Sequence, residues 1–427
     1  MDIHVVRPGD TLYGIAQQYG VSMSQLLQDN QPPDPARLVV GQALVIQYPE
    51  QTYTVRPGDT VSSIAAAGGI SVRQLYRNNP ILHGTDRIVP GQTLVLRYRQ
   101  EREGTLTVNG YAYPEIDREL LQSTLPFLSD LTPFTYGFTA DGDLIPLEDQ
   151  ALIDAARQMG VRPLLHLSTL AESGNFSNEL AHIALTDQAV QSRLIAQLLD
   201  TVRRKGYQGI DVDFEFVYPE DAQTYPQFIQ RLRSVLAPLG LPVMVALVPK
   251  VYAAQPGRLY EGHSYGLLAQ AADFVLLMTY EWGYTYGPPM AVAPIRNVRQ
   301  VVDYALTEMP PEKIYLGIPN YGYDWVLPFR QGSRATSISN QQAVELAAQY
   351  RSAIRFDENA QSPWFRYMDE SGQEHEVWFE DARSIRAKLA LAAEYGLYGV
   401  GYWNLMRPFP QNWAVLNALY DIREELA

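Results

Sequence analysis

The sequence predicts an α/β protein: a (β/α)8 TIM-type barrel with a small α+β insertion after its seventh strand, preceded by two small βααβ modules. Three observations predict it. The string Val6-Arg7-Pro8-Gly9-Asp10-Thr11 recurs as Val55-Arg56-Pro57-Gly58-Asp59-Thr60. Beyond residue 105, short apolar runs alternate with helical patterns. Residues 209–215 read Gly-Ile-Asp-Val-Asp-Phe-Glu, which places carboxylates at three alternate positions.

The repeat defines the modules. Each copy closes alike, with Val40-Gly41-Gln42-Ala43-Leu44-Val45-Ile46 answered by Pro90-Gly91-Gln92-Thr93-Leu94-Val95-Leu96, so one unit has been duplicated. Asp10 and Asp59 sit where helix caps belong, ahead of the amphipathic runs Leu12 to Tyr19 and Val61 to Ala67. A second short helix is expected from Ser24 to Asp29 and from Ser71 to Asn78, ending at Asn30 and Asn79. Residues 1–48 and 50–98 are the two modules. The charged, aperiodic stretch 99–105 is a linker, so the modules are expected to act as two sites on one tether.

Residues 106–427 form the barrel. Its strands are expected at Thr107 to Tyr113, Phe134 to Phe138, Pro163 to Ser168, Gly209 to Glu215, Pro242 to Pro249, Phe274 to Tyr280, Ile314 to Tyr321 and Gly399 to Leu405. Eight strands separated by helices are the sequence form of a (β/α)8 barrel. The seventh connection is too long for a plain crossover. It holds a helical run from Asn340 to Tyr350 and strand-like stretches around Ile354 to Phe356, Trp364 to Met368 and His375 to Phe379. An insertion at about 322–382, on the loop face of a barrel, would wall one side of a cleft.

In a strand, side chains alternate faces and every second residue advances about 6 to 7 Å, so Asp211, Asp213 and Glu215 project in one row. Ile210, Val212, Phe214 and Phe216 then line the opposite, apolar face. In isolation such a string would serve as a charged strand edge. Between a helical run ending at Lys205-Gly206 and a wholly apolar reverse face, it reads instead as a strand packed between helices and a filled interior. Three acids sharing one face cannot all ionise without mutual cost, which leaves one as an available acid.

Bulk properties exclude several classes. A formal charge of −14 argues against binding nucleic-acid phosphates or an anionic membrane surface. Cys is absent, which removes thiolate and zinc-thiolate chemistry, and the six histidines form no metal-ligand spacing. His166 reads as a satisfied interior histidine. No apolar run approaches a membrane span, and the N-terminal residues carry no ordinary secretory signal. The 28 tyrosines, 13 phenylalanines and 6 tryptophans supply flat apolar faces suited to sugar rings.

The paired repeat resembles the LysM module, which binds N-acetylglucosamine-containing glycans such as peptidoglycan and chitin. That resemblance places sugar between Gly9, Asp10, Thr11 and Leu12 and the loop from Asn30 in the first copy. In the second copy it implicates Gly58, Asp59, Thr60, Val61, Asn79 and Ile81. The barrel resembles glycoside hydrolase family 18, with pattern Asp-x-x-Asp-x-Asp-x-Glu on the fourth strand, Met-x-Tyr on the sixth and Trp on the eighth. It implies that Glu215 is the acid and base, that Asp213 orients the substrate acetamide, and that Asp211 partners Asp213. Tyr280 would bond the acetamido oxygen, and Trp403 would underlie the cleaved sugar.

The implied chemistry is substrate-assisted, retaining and free of cofactors and metals. Two positions depart from the family pattern: Gln208 replaces its first acid, and Glu281 follows Tyr280 where chitinases carry Asp. Across the whole chain, Met278-Thr279-Tyr280-Glu281-Trp282-Gly283, Tyr323-Asp324-Trp325 and Val377-Trp378-Phe379-Glu380-Asp381-Ala382-Arg383-Ser384 resemble the YaaH-type spore germination hydrolases, the cortical fragment-lytic enzymes. That resemblance implies a β-N-acetylglucosaminidase of spore-cortex peptidoglycan, acting as a monomer in the spore cortex or coat layer. Glu281, Trp282, Asp324 and Trp325 would line its cleft, while Trp378 to Ser384 would anchor the insertion. The alternatives are a chitinase gripping chitin through its modules and a non-catalytic glycan-binding lectin.

Overall fold

A computed structural model describes residues 1–99, 102–171 and 173–424. Eight parallel strands form the barrel: β1 Gly104–Ala112, β2 Asp130–Pro133, β3 in two pieces at Arg162–Pro163 and Leu165–Ser168, β4 Ile210–Asp213, β5 Val243–Leu247, β6 Phe274–Leu277, β7 Ile314–Pro319 and β8 Gly399–Trp403. The break at Leu164 lets the first piece of β3 pair with β2 while the second pairs with β4. The two ends of the sheet are therefore halves of one strand, and the barrel closes.

Six of the strands end sooner than their apolar runs predict, and β3 ends at Ser168 as expected. One is displaced outright: β2 is Asp130–Pro133, and the expected segment Phe134 to Phe138 is the loop after it, holding only single bridges at Tyr136 and Phe138. Inward polar side chains hid the strand. Asp130 is fully buried against Arg162 and the Tyr315 hydroxyl, and Thr132 Oγ1 donates to Asn109 Oδ1 at 2.8 Å. Phe216 is also a correction, because it lies beyond β4 and is exposed rather than packed on the helix side.

The insertion is a five-stranded antiparallel sheet in the order Thr336–Ile338, Gly322–Val326, Glu374–Trp378, Ser362–Met368 and Arg355–Asp357, with helix Asn340–Gln349 beside it. The Trp378 to Ser384 segment fixes it to the barrel. Asp381 caps helix Ala382–Glu394, and the fully buried Glu380 and Lys388 pair at 2.8 Å. A buried ion pair of this kind is expensive to break, since one partner alone leaves an uncompensated charge.

The modules repeat the same bonding. Asp2–Val5 pairs antiparallel with Ala43–Ile46, and Pro49–Thr54 with Thr93–Tyr98. Thr11 and Thr60, not Asp10 and Asp59, cap the first helices. The aspartates close the preceding turns by accepting the Arg7 and Arg56 backbone N–H groups at 2.7 Å, which a carboxylate one residue before the cap is placed to do.

The modules are docked, which corrects the expectation of a tether. Both lie along helix Pro410–Leu419. Gln411 donates to Asn30 Oδ1 and the Ala43 carbonyl of the first, and Asn417 donates to Asn78 Oδ1 of the second. Arg73 and Arg77 reach the carbonyls of Leu128 and Pro126 at the N-terminal rim of β2. Ala43 and Val45 belong to the same apolar core as the barrel. Within the expected linker, Gln100 and Glu101 lie outside the described residues. Arg102 donates to the Tyr420 carbonyl at 2.6 Å, and the Glu103 N–H to that of Leu419. Among the described residues no helix is long and apolar enough to cross a membrane.

Candidate active site

Apolar packing fills the barrel interior low down, where Leu164, Met244, Ala246, Leu276 and Tyr315 meet Tyr111. Above them the interior turns acidic. Asp211 and Asp213 point inward from β4, while Ile210 and Val212 are buried on the helix side. Glu215 stands two residues past the end of the ladder, so strand hydrogen bonds do not position it. The alternation continues because Phe214 is buried in a stack with Tyr225 and Phe228 at 5.5 and 5.7 Å. His263, also buried, donates from Nε2 to the Glu215 carbonyl at 2.9 Å, and Lys250 Nζ in turn donates to the His263 carbonyl.

These side chains open into a cavity of about 380 Å³ lined by Asp213, Glu215, Tyr280, Glu281, Trp282 and Trp403, with Tyr111, Tyr113, Phe134, His166 and Tyr260 completing the wall. Gly317 on β7 makes room for Tyr280, because a Cβ there would lie 2.8 Å from the tyrosine ring and 2.4 Å from the Leu277 carbonyl oxygen. Trp403, half-buried, packs edge-on against Phe134 and Tyr111 with centroids 4.8 and 5.8 Å apart. Edge-on packing leaves an indole face for a flat ligand surface.

The electrostatics favour protonated acids. Burial raises the Glu215 carboxyl well above the usual range, and the neighbouring carboxylates of Asp213 and Glu281 raise it further. Asp213 is raised by burial, and Asp211 is pushed up to about 6 by the same cause, although His166 and the Tyr111 hydroxyl oppose the shift. Tyr111 donates to Asp211 Oδ2 at 2.7 Å. His166 lies 3.8 Å from Asp211 and 3.6 Å from Asp213, with Nδ1 2.6 Å from Thr135 Oγ1. Burial lowers His166 to about 4, so it stays neutral at physiological pH. Asp211 Oδ1 and Asp213 Oδ1 are buried without a hydrogen-bond partner. An array with more acceptors than donors retains protons.

Glu281 follows Tyr280 with φ of 65°, a left-handed conformation unusual for this residue type. Its carboxylate accepts from the Tyr321 hydroxyl and, at 3.1 and 3.2 Å, from that of Tyr323. Asp324 and Trp325 are placed otherwise than expected. Strand Gly322–Val326 directs Asp324 to the Tyr367 hydroxyl and His375 at 2.7 and 2.8 Å, and Trp325 is buried with its indole N–H on the Gly287 carbonyl. Asp324 holds the insertion together, Trp325 ties it to the loop after β6, and neither lines the cavity. Gln208, at the departed first acid, is half-buried with Oε1 unpartnered.

Sequence reasoning missed Tyr111, Tyr113, Phe134, Tyr260 and His263. Tyr111 and Tyr113 lie at the C-terminal end of β1, where barrel chemistry gathers, and that position was the available signal. In the modules, Asn30 and Asn79 are buried as structural pins: each donates to two carbonyls, and each accepts the N–H of Val45 or Val95. Leu12 and Val61 are buried too. Gly9, Thr11, Gly58, Thr60 and Ile81 remain exposed, and Asp10 and Asp59 are half-buried.

The sequence profile of glycosyl hydrolases family 18 matches residues 115–407, which takes in the barrel from β2 to β8 and every cavity-lining acid. The chain belongs to glycosyl hydrolase family 18. The LysM domain profile matches residues 4–47 and 53–97 of this family 18 chain. It is 42% identical over 428 residues to the cortical fragment-lytic enzyme of Bacillus subtilis (strain 168), covering 99% of both chains. It is 39% identical to the cortical fragment-lytic enzyme of Bacillus anthracis over the full length of both. The crystal structure of the Bacillus cereus spore cortex-lytic enzyme SleL superposes with a TM-score of 0.84 at 38% identity, covering 99% of this chain and 98% of that one.

Proposed function

We propose that the chain is a cortical fragment-lytic β-N-acetylglucosaminidase that hydrolyses spore-cortex peptidoglycan and its fragments with retention of configuration. The observation that carries this reading is the buried Glu215 carboxyl, which opens into a cavity beside Asp213, Tyr280 and Trp403 and is pushed toward its acid form by burial and by neighbouring carboxylates. Glu215 donates its proton to the glycosidic oxygen as the C1–O bond breaks. The carbonyl oxygen of the substrate's own 2-acetamido group attacks C1, forming an oxazolinium ion in place of a covalent enzyme ester. Asp213 accepts the acetamide N–H and balances the developing positive charge, with Asp211 sharing its proton. Tyr280 donates to the acetamido oxygen, and Trp403 floors the sugar. Water then attacks C1 as Glu215 takes its proton, so the acid is restored and only 2-acetamido sugars qualify.

The two modules hold the glycan through the exposed turns at Gly9 to Thr11 and Gly58 to Thr60, with Ile81 adding an apolar contact. Fixed on one barrel, they present both turns in a constant geometry. The site of action on this reading is the spore. The direct test is Glu215→Gln, which keeps the shape and removes the proton. Release of reducing ends from cortex fragments is expected to fall by about 10² to 10⁴-fold, and wild-type turnover by this variant would overturn the assignment.

A further inference from the structure

The loop after β6 carries two exposed tyrosines beside the cavity, Tyr284 at 41% and Tyr286 at 53% exposure. Two neighbouring exposed aromatic rings on a hydrogen-bonded loop offer apolar faces to a flat ligand. This loop is held at both ends and in the middle. Trp282 and Gly283 donate their N–H groups to the Val292 and Ala291 carbonyls at 3.0 Å. The buried Trp325 indole holds Gly287, and the Ala335 N–H of the insertion donates to the Thr285 carbonyl at 2.7 Å. The two rings stand edge to face with centroids 6.5 Å apart.

Arg334, on the insertion, lies over the Tyr286 ring with its guanidinium carbon 5.5 Å from the centroid. Among the described residues, no carboxylate pairs with Arg334 or with its neighbour Arg330. Arg334 is exposed, so its guanidinium faces solvent beside the two rings. The loop starts at the cavity, whose wall includes Glu281 and Trp282. Thr285 Oγ1 lies 3.4 Å from the Tyr323 hydroxyl, and that hydroxyl bonds Glu281 on the cavity wall.

We propose that Tyr284, Tyr286 and Arg334 form a subsite for a sugar bearing a carboxylate, such as a muramic acid unit whose lactyl or peptide arm ends in one. The tyrosine faces take the apolar side of the ring, and the guanidinium, braced on Tyr286, takes the anion as a charge-assisted pair. A neutral chitin chain offers the rings a partner and the guanidinium none. The subsite therefore selects acidic glycan over chitin. This inference rests on the proposed glycan hydrolysis and names the residues that read the acidic units of that substrate.

The test uses the full chain with two oligosaccharide probes, a muropeptide carrying a free peptide carboxylate and a neutral chitin oligomer of equal sugar count. Arg334→Gln is expected to lower the acidic-to-neutral ratio of kcat/KM by about five- to tenfold, and raising the salt to about 1 M should erase most of that difference by screening. Tyr286→Ala should weaken both probes. The same ratio is read as binding affinity in a Glu215→Gln background, with and without Arg334→Gln, so the subsite is tested even if turnover is absent. Failure of the wild type to cleave either probe overturns the hydrolase reading. An unchanged binding ratio in the Arg334→Gln pair overturns the subsite alone.

Discussion

Glu215 holds its proton for a reason that reaches beyond its own burial: two further carboxylates, Asp213 in the same row and Glu281 on the cavity wall, act on it. A group whose acid form is required works until pH rises through its pKa, so the alkaline limb of kcat/KM reports Glu215. Glu281→Gln removes one of the negative charges that raise that pKa. The limb is expected to move to lower pH in this variant, as read from a pH profile of kcat/KM, and a limb that stays in place would show that the two groups do not interact. The acids were legible because their spacing is a strand property and carboxylates in a row are rare on a buried face. His263 was not, because a lone histidine forty-eight residues from Glu215 gives no periodic signal and acts through a backbone carbonyl. Asp324 and Trp325 misled for the converse reason. Polar and aromatic residues after a barrel strand read as cleft lining, yet an insertion with its own sheet gives them local partners.

At the scale of elements, the same loop of the two modules has two fates. Gly41 and Gly91 occupy equivalent positions with φ of 86° and 89°. A Cβ on Gly41 would lie 1.8 Å from the Ile354 carbonyl oxygen, whereas one on Gly91 meets nothing within 4 Å. The Val40 carbonyl accepts the Ile354 N–H at 2.9 Å, and the Gly41 carbonyl accepts from Arg383 at 3.2 Å. Module 1 is thereby fastened to the insertion, whose Tyr323 backs Glu281 on the cavity wall. Both Gly→Ala changes carry the strain of a left-handed alanine, about 1 kcal/mol. Gly41→Ala adds a backbone clash and is expected to cost about 2 to 4 kcal/mol in total by chemical denaturation. Equal losses in the two variants would mean that the contact with Ile354 carries no stability. Repeat arithmetic made the modules legible, and nothing in it distinguishes a docked copy from a free one.

At the scale of the molecule, the modules and barrel share apolar core and buried polar contacts, so they are expected to unfold together. Calorimetry of the full chain should give one transition, and the excised segment 102–427, which keeps β1 whole and bares the faces of Trp413 and Phe127, should melt lower by roughly 5 °C or more. Separate transitions, or an unshifted barrel, would restore the picture of independent tethered modules. The sequence by itself determined the duplicated βααβ unit, the eight-strand barrel, the place of the insertion and the row of acids, because each is written in local periodicity: two residues for a strand, 3.6 for a helix, a fixed offset for a repeat. Only the tertiary structure decided which polar residues are pins and which face the cavity, where β2 begins, and that the modules ride on the barrel. Those outcomes depend on pairings between residues far apart in the chain, such as Asn30 with Gln411 or Glu281 with Tyr323, and no period in the sequence encodes which distant partner will satisfy a buried donor or acceptor.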